Sequence, residues 1–178
     1  MAIEFEHGIK DKLVNLIPGY GGYASKERRR ETDRLIRDKA VLFLEHGKGA
    51  VDQLQAMLLQ LGQRNSLPMA EKLRSQVDVV MATIRSAEYG YGGLFDQVKV
   101  KENTLEGLAN YDGRIIIKSK NFQRHCEELT DKAMGAPDTA LKEILDLQRE
   151  IEVIRKDFER RKDVINGVVT IEDDVDLS

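Results

Sequence analysis

Residues 40–61 read AVLFLEHGKGAVDQLQAMLLQL. Apolar residues recur in this stretch in alternating steps of four and three, a spacing that places them along one face of an α-helix. A turn at Gly47 or Gly49 would reset the phase of the repeat, yet the phase continues across both glycines. The sequence therefore predicts one helix over residues 25–63, although a glycine inside a helix costs about 1 kcal/mol relative to alanine.

Three more series with the same spacing follow. One short turn sequence lies between the first and second series, and another lies between the third and fourth. The first turn sequence, residues 63–68, contains Ser66, which can cap a helix N-terminus. The second, residues 135–138, contains a proline that cannot continue a helix. Because short connections join antiparallel neighbours, we expect one helical hairpin over residues 25–89 and another over residues 103–165.

Two charged residues interrupt the apolar series. Asp112 occupies an apolar position of the third series and is followed by Gly113, and Asp-Gly is a common turn dipeptide. The helix expected over residues 103–134 is therefore either continuous or broken at this dipeptide. Arg161 is a polar exception in the fourth series.

The composition fits a bundle of helices that each bury a narrow stripe. Of the 178 residues, 33% are charged and 6% are aromatic. We expect an all-α fold, an elongated coiled-coil-like bundle of the two hairpins plus a short N-terminal helix over residues 3–16. Residues 1–165 would form this single domain, and the acidic residues 166–178 would form a flexible tail.

Charge and cysteine content restrict the location and the partners. The net charge of -3 does not favour a polyanionic partner, so binding to nucleic acid is not expected. The single cysteine, Cys126, allows no disulfide within one chain, as is usual in a reducing compartment. The apolar stretches are shorter than a membrane span. We expect a cytoplasmic protein.

Catalysis is not expected, because the residue types that catalyse reactions or bind metals are not spaced in the sequence so as to form one site. The histidines His7, His46 and His125 are far apart in sequence. On a helix, the adjacent His125 and Cys126 point about 100° apart and cannot bind one metal together. The only Glu-x-x-His pair is Glu4 with His7, whereas a di-iron bundle site requires two such pairs. We therefore expect no enzyme activity, no metal site and no cofactor.

Two clusters of glycine and aromatic residues flank the first hairpin, at residues 18–23 and 89–95. Tyrosine supplies a flat amphipathic surface, and glycine allows close approach of a backbone, so these loops are candidate partner-binding sites. The alternative is that they are rigid turns whose rings cover helix ends. The candidate binding residues in these loops are Tyr20, Tyr23, Tyr89, Tyr91 and Phe95.

The run at residues 26–39 holds seven basic and four acidic side chains. Its arginines Arg28, Arg29 and Arg30 are candidates for contact with a partner or with phosphate groups. The alternative is a solvated helix whose charges pair internally, for example Asp33 with the arginine four residues later. This half of the first helix has few apolar residues to bury within its own hairpin.

Two functions are consistent with these features. The first is a non-enzymatic interaction or assembly protein that binds a protein partner or a second copy of itself through helix faces and the Gly-Tyr loops. The alternative is a peripheral membrane or anionic-surface protein that uses the N-terminal amphipathic helix and the Arg-rich residues 26–39.

Overall fold

The computed structural model describes residues 12–21, 26–87, 102–135 and 139–165. These ranges contain four long helices and no β-strand, and residues 12–16 form a further short helical segment. The prediction of an all-α helical bundle is confirmed. The remaining part of the N-terminal helix expected over residues 3–16 lies outside the described residues. The helices are α1 (Lys26–Gln60), α2 (Leu67–Ser86), α3 (Glu102–Ala133) and α4 (Ala140–Ile165).

Helix α1 runs without interruption through Gly47 and Gly49, as the phase of the apolar repeat predicted. The two glycines have different surroundings. A Cβ atom on Gly47 would lie 3.0 Å from Cε1 of Phe122 on α3, which is closer than side chains normally approach. A Cβ atom on Gly49 would meet nothing within 4 Å. Helix packing therefore favours glycine at position 47, whereas nothing within 4 Å restricts a side chain at position 49.

Helix α3 also runs without a break, through Asp112 and Gly113. The turn that the Asp-Gly dipeptide suggested is absent, because both residues are buried inside the helical packing. Asp112 therefore occupies the core position that the apolar series assigned to it.

The connection between α1 and α2 begins earlier than predicted. Gly62 adopts the left-handed conformation, with φ of 73°, and ends α1 at Gln60 instead of at residue 63. The backbone N–H of Gln63 donates to the carbonyl of Leu58 at 2.9 Å, the hydrogen bond that marks this type of helix terminus. The carbonyl of Ser66 accepts from the N–H of Ala70 at 3.0 Å, which is consistent with the predicted N-cap.

The chain divides into two compact units. Unit 1 comprises residues 1–39, 84–116 and 156–178, of which the structure describes residues 12–21, 26–39, 84–87, 102–116 and 156–165. Unit 2 comprises residues 40–83 and 117–155. All four long helices contribute residues to both units.

In unit 2 the helices of each hairpin are antiparallel. Lys48 of α1 binds Asp78 of α2 at 2.6 Å, and Asp52 accepts from Arg74 of α2 at 2.8 Å. As residue numbers rise along α1, those of the contacts on α2 fall. The same relation holds between α3 and α4.

Contacts between the hairpins complete the core of unit 2. The hydroxyl of Thr130 on α3 donates to the carbonyl of Ala50 on α1 at 3.0 Å. The side-chain amide of Gln148 on α4 donates to the carbonyl of Met69 on α2 at 2.9 Å. Helix α1 therefore adjoins α2 and α3, and α4 adjoins the same two helices. The largest fully buried apolar side chains of unit 2 are Leu44, Leu54, Leu58, Leu73 and Phe122.

In unit 1 the N-terminal segment of residues 12–21 contributes to the core. Leu13 and Ile17, one helical turn apart, are 1% and 2% exposed. The segment ends in a turn at Gly19, whose φ is 87°. None of the described helices is long and apolar enough to cross a membrane.

Candidate functional site

Unit 1 contains a buried charge cluster, formed by Asp33 and Arg37 of α1, Asp112 of α3 and Arg161 of α4. Nε of Arg161 donates to Oδ1 of Asp112 at 2.6 Å, and Nη1 of Arg161 donates to Oδ1 of Asp33 at 2.7 Å. Nε of Arg37 donates to the other oxygen of Asp33 at 2.9 Å. One arginine therefore links three helices of unit 1.

The charges of the cluster balance, since it contains two carboxylates and two guanidinium groups. The side chains of Arg161 and Asp112 are both 0% exposed. Removal of such groups from water costs several kcal/mol per ion, and only close pairing with hydrogen bonds offsets that cost. Slippage of one helix would leave a buried charge unpaired, so the cluster specifies the register of α1, α3 and α4 within unit 1.

Sequence analysis identified part of this cluster. The predicted pairing of Asp33 with Arg37 is confirmed. The interpretation of these two residues as part of a solvated helix is wrong, because both are buried. The link to α3 and α4 was missed. The available signal was the presence of Asp112 and Arg161, two opposite charges at apolar positions of neighbouring series.

Tyr20 is the only candidate binding tyrosine among the described residues. Its hydroxyl is buried and has no hydrogen-bond partner in the described part of the chain. Burial raises the pKa of Tyr20 above its ordinary value of 10.0, and the charge of Asp112 raises it further, while the charge of Arg161 lowers it. The hydroxyl therefore stays protonated, and it is not presented at the surface.

The other candidate binding residues are located as follows. Arg28 and Arg30 are exposed on α1, and each interacts with other groups of the chain. The side chain of Arg29 lies outside the described part of the structure. The partner-binding role of all these residues stays a prediction. The candidates Tyr23, Tyr89, Tyr91 and Phe95 also lie outside the described residues.

Unit 2 presents a group of exposed apolar side chains. Leu59, at 64%, and Met134, at 68%, are the most exposed large apolar residues among those that the structure describes. Three more large apolar residues near the same two turns are 38–46% exposed. We call this set the apolar end. It consists of Leu59, Leu61, Met134, Leu141 and Leu145.

The apolar end lies at one end of unit 2 because of the helix directions. Gly47 and Ala50 of α1 lie against Phe122 and Thr130 of α3, so these two helices run parallel. Their carboxyl ends therefore meet at the same end of unit 2, and so do the turns that follow them. Only one charged residue occurs among residues 59–69, in a chain that is 33% charged. The turn between α1 and α2 is therefore apolar and poor in charge.

Two clefts lie between α3 and α4 in unit 2, on either side of the hydrogen bond between Nδ1 of His125 and a carboxylate oxygen of Glu150 at 2.9 Å. Their volumes are about 260 and 310 Å³. In the first cleft, Lys132 lies 3.6 Å from Glu143, so acidic and basic side chains pair within it. Among the described residues, no group of three or more His, Cys, Asp or Glu side chains is arranged to hold a metal ion.

Cys126 also lies in unit 2, and its thiol is buried. Burial raises the pKa of this thiol, and the nearby carboxylates of Glu150 and Glu127 raise it further. The group therefore stays protonated at neutral pH. A protonated and buried thiol is a poor nucleophile, which favours a structural role for Cys126.

No known protein family, no curated protein and no solved structure matches this chain. A proposal for its function therefore depends on the chain's own residues.

Proposed function

We propose that this chain is a non-enzymatic, cytoplasmic helical protein that binds a protein partner, or a second copy of itself, through the apolar end of unit 2. The observation that supports this proposal is the concentration of five exposed large apolar residues at the two turns of unit 2. Exposed apolar patches with a polar surround mark interaction surfaces more often than singly scattered residues do.

The charge distribution of unit 2 supports the same surface. Along the sides of the helices, basic and acidic groups already pair with each other, as in Lys48 with Asp78 and Arg74 with Asp52. Surface ion pairs of this kind contribute little binding energy to a partner. The centres of protein interfaces are poor in charged residues, and residues 59–69 have this property.

The alternative function, binding to a membrane surface, depends on the apolar face of the N-terminal helix. Two residues of that face, Leu13 and Ile17, are buried in unit 1. Binding to lipid through these residues would require their removal from that core. Flotation of the full chain with vesicles of anionic lipid tests this alternative, which is abandoned if the protein stays in the lower fraction.

Affinity capture from a native lysate tests the proposed function. The variant pair Leu59→Ser and Leu141→Ser, combined in one chain, alters the apolar end. The matched control combines Val79→Ser and Val153→Ser, two valines that are 59% and 42% exposed elsewhere on unit 2. We expect the first variant to lose its captured partner and the control to keep it. Equal capture by both variants argues against the apolar end.

A separate arm tests the Gly-Tyr loops. A chain in which Tyr23, Tyr89 and Tyr91 are changed to Ala is compared with the wild type in the same capture. If this variant loses the partner and the Leu59 and Leu141 variant keeps it, the loops bind the partner and the apolar end does not.

A further inference from the structure

We propose that the occupant of the apolar end is the same surface of a second copy of this chain, so that two copies associate end to end. This inference depends on the proposed function and names its partner. Five large apolar side chains that remain exposed on one copy would become mutually buried by a two-fold related copy. Burial of apolar surface is the main source of association free energy.

The charges around the apolar end favour a copy of itself over a strongly charged partner. Arg64 and Lys142 are basic, Asp131 is acidic, and Lys132 pairs with Glu143. The two signs are therefore nearly balanced at this end. Two copies of a surface with balanced charge do not repel each other strongly. A strongly acidic or basic partner would gain little electrostatic attraction from such a surface.

The geometry of unit 2 makes this contact a closed one. Both turns lie at the same end, and the apolar residues belong to α1, to α4 and to the turns that follow α1 and α3. A two-fold axis through this end pairs each residue set with itself, which limits the assembly to a dimer. A stable interface buries about 20–30 residues per partner, whereas the apolar end consists of five, so we expect weak association.

Sedimentation equilibrium of the purified full chain over a wide range of concentration tests the proposal. We expect a reversible monomer–dimer equilibrium. The variant that combines Leu59→Ser with Leu141→Ser should weaken the dimer at least tenfold, which corresponds to about 1.4 kcal/mol. The control that combines Val79→Ser with Val153→Ser should dimerise like the wild type. Far-UV circular dichroism verifies that both variants keep their helices.

Distances between spin labels test the orientation of the two copies. Single cysteines are placed by Arg64→Cys at the apolar end and by Val79→Cys further along α2, while the native Cys126 is buried. Val79 is twelve residues from the start of α2, so it lies about 18 Å from this end. In an end-to-end dimer, the distance between the two Arg64→Cys labels should be much the shorter one.

Three outcomes overturn the inference. They are a strict monomer at the highest concentration, a dimer that the apolar-end variant leaves unchanged, and Val79→Cys labels closer together than Arg64→Cys labels. A strict monomer would leave the proposed function standing if lysate capture still depended on Leu59 and Leu141. Failure of that dependence would remove the proposed function as well.

Discussion

Arg161 and Asp112, which are 49 residues apart in sequence, form a hydrogen-bonded ion pair of 2.6 Å in the core of unit 1. Each of them occupies a position where the repeat of its helix calls for an apolar residue. Two charged exceptions in separate apolar series therefore pair with each other in the folded chain. Asp33, which is bound by the same arginine, is buried within the charged first half of α1, where Arg34 and Asp38 stay exposed.

Loss of the central arginine should destabilise the fold strongly. The variant Arg161→Met leaves Asp112 without its bond to Nε and Asp33 without its bond to Nη1. Because buried carboxylates that lose charge-assisted hydrogen bonds are costly, we expect the free energy of unfolding to fall by about 3–5 kcal/mol. The measurement is urea denaturation followed by circular dichroism. The matched control is Arg34→Met, whose pair with Asp38 is exposed and should contribute at most about 1 kcal/mol.

A double-mutant cycle separates pairing from packing at this site. We expect the combination of Asp112→Leu and Arg161→Met to cost less than the sum of the two single changes, by about 1–3 kcal/mol. The double variant no longer leaves one partner of the pair alone. Additive losses would show that the ion pair makes no specific contribution.

The two glycines of α1 should respond oppositely to the same substitution. Gly47→Ala places a Cβ atom 3.0 Å from the ring of Phe122 and 3.3 Å from the Cα atom of Gln123, so we expect destabilisation of about 1–3 kcal/mol. Gly49→Ala meets no neighbour and should stabilise the helix by about 0.5–1 kcal/mol. Thermal unfolding of both variants measures the difference. Equal effects would contradict the close approach at Gly47.

The glycines of the two turns form a second matched pair. Gly62 has a left-handed φ of 73°, so Gly62→Ala should lower the free energy of unfolding by about 1–2 kcal/mol through backbone strain alone. Gly135, which follows α3, does not adopt a left-handed conformation, and a Cβ atom there would lie an ordinary 3.8 Å from the carbonyl of Lys132. Gly135→Ala should therefore be nearly neutral in the same denaturation experiment.

Tyr20 should be replaceable by phenylalanine without loss of stability. The variant Tyr20→Phe removes a buried hydroxyl that has no hydrogen-bond partner among the described residues, so we expect no change or a gain of up to about 1 kcal/mol. A loss above 1 kcal/mol would show that the hydroxyl makes an important bond.

The pH dependence of the same variant tests the pKa of Tyr20. In the folded state this pKa is raised, so the unfolded chain loses the phenolic proton first as the pH rises above 10.0. By linkage, the contribution of this group to stability is fully present below pH 10.0 and is lost progressively as the pH rises from that value towards the higher pKa of the folded state. The wild type should therefore lose stability more steeply than Tyr20→Phe above this pH.

Cys126 should react slowly with thiol reagents in the native state. Its thiol is buried and its pKa is raised, so little thiolate is present or accessible at pH 8. We expect labelling with a maleimide or an aromatic disulfide to be at least a hundredfold faster in urea than in buffer. Rapid labelling of the folded chain would show that this part of α3 opens readily.

The sequence alone determined the fold class and the approximate limits of the helices. The alternation of steps of three and four is a local property, and so is the phase that continues through Gly47 and Gly49. Ser66 was informative for the same reason, since it acts on the backbone of its own neighbours, whereas Gly62, which ends α1, was missed. Local rules failed at Asp112, where an ordinary turn dipeptide is held in a continuous helix.

The roles of Arg161 and Gly47 depend on contacts between helices. Arg161 binds Asp33 across 128 positions of the chain, and the spacing of residues within one helix does not specify such a partner. The same holds for Gly47, whose small size is required by a ring on α3. Leu59 and Met134 are exposed at the same end of unit 2 because the helix directions place both turns there. Contacts between distant segments depend on how the helices pack together, and the periodicity of a single helix does not specify them.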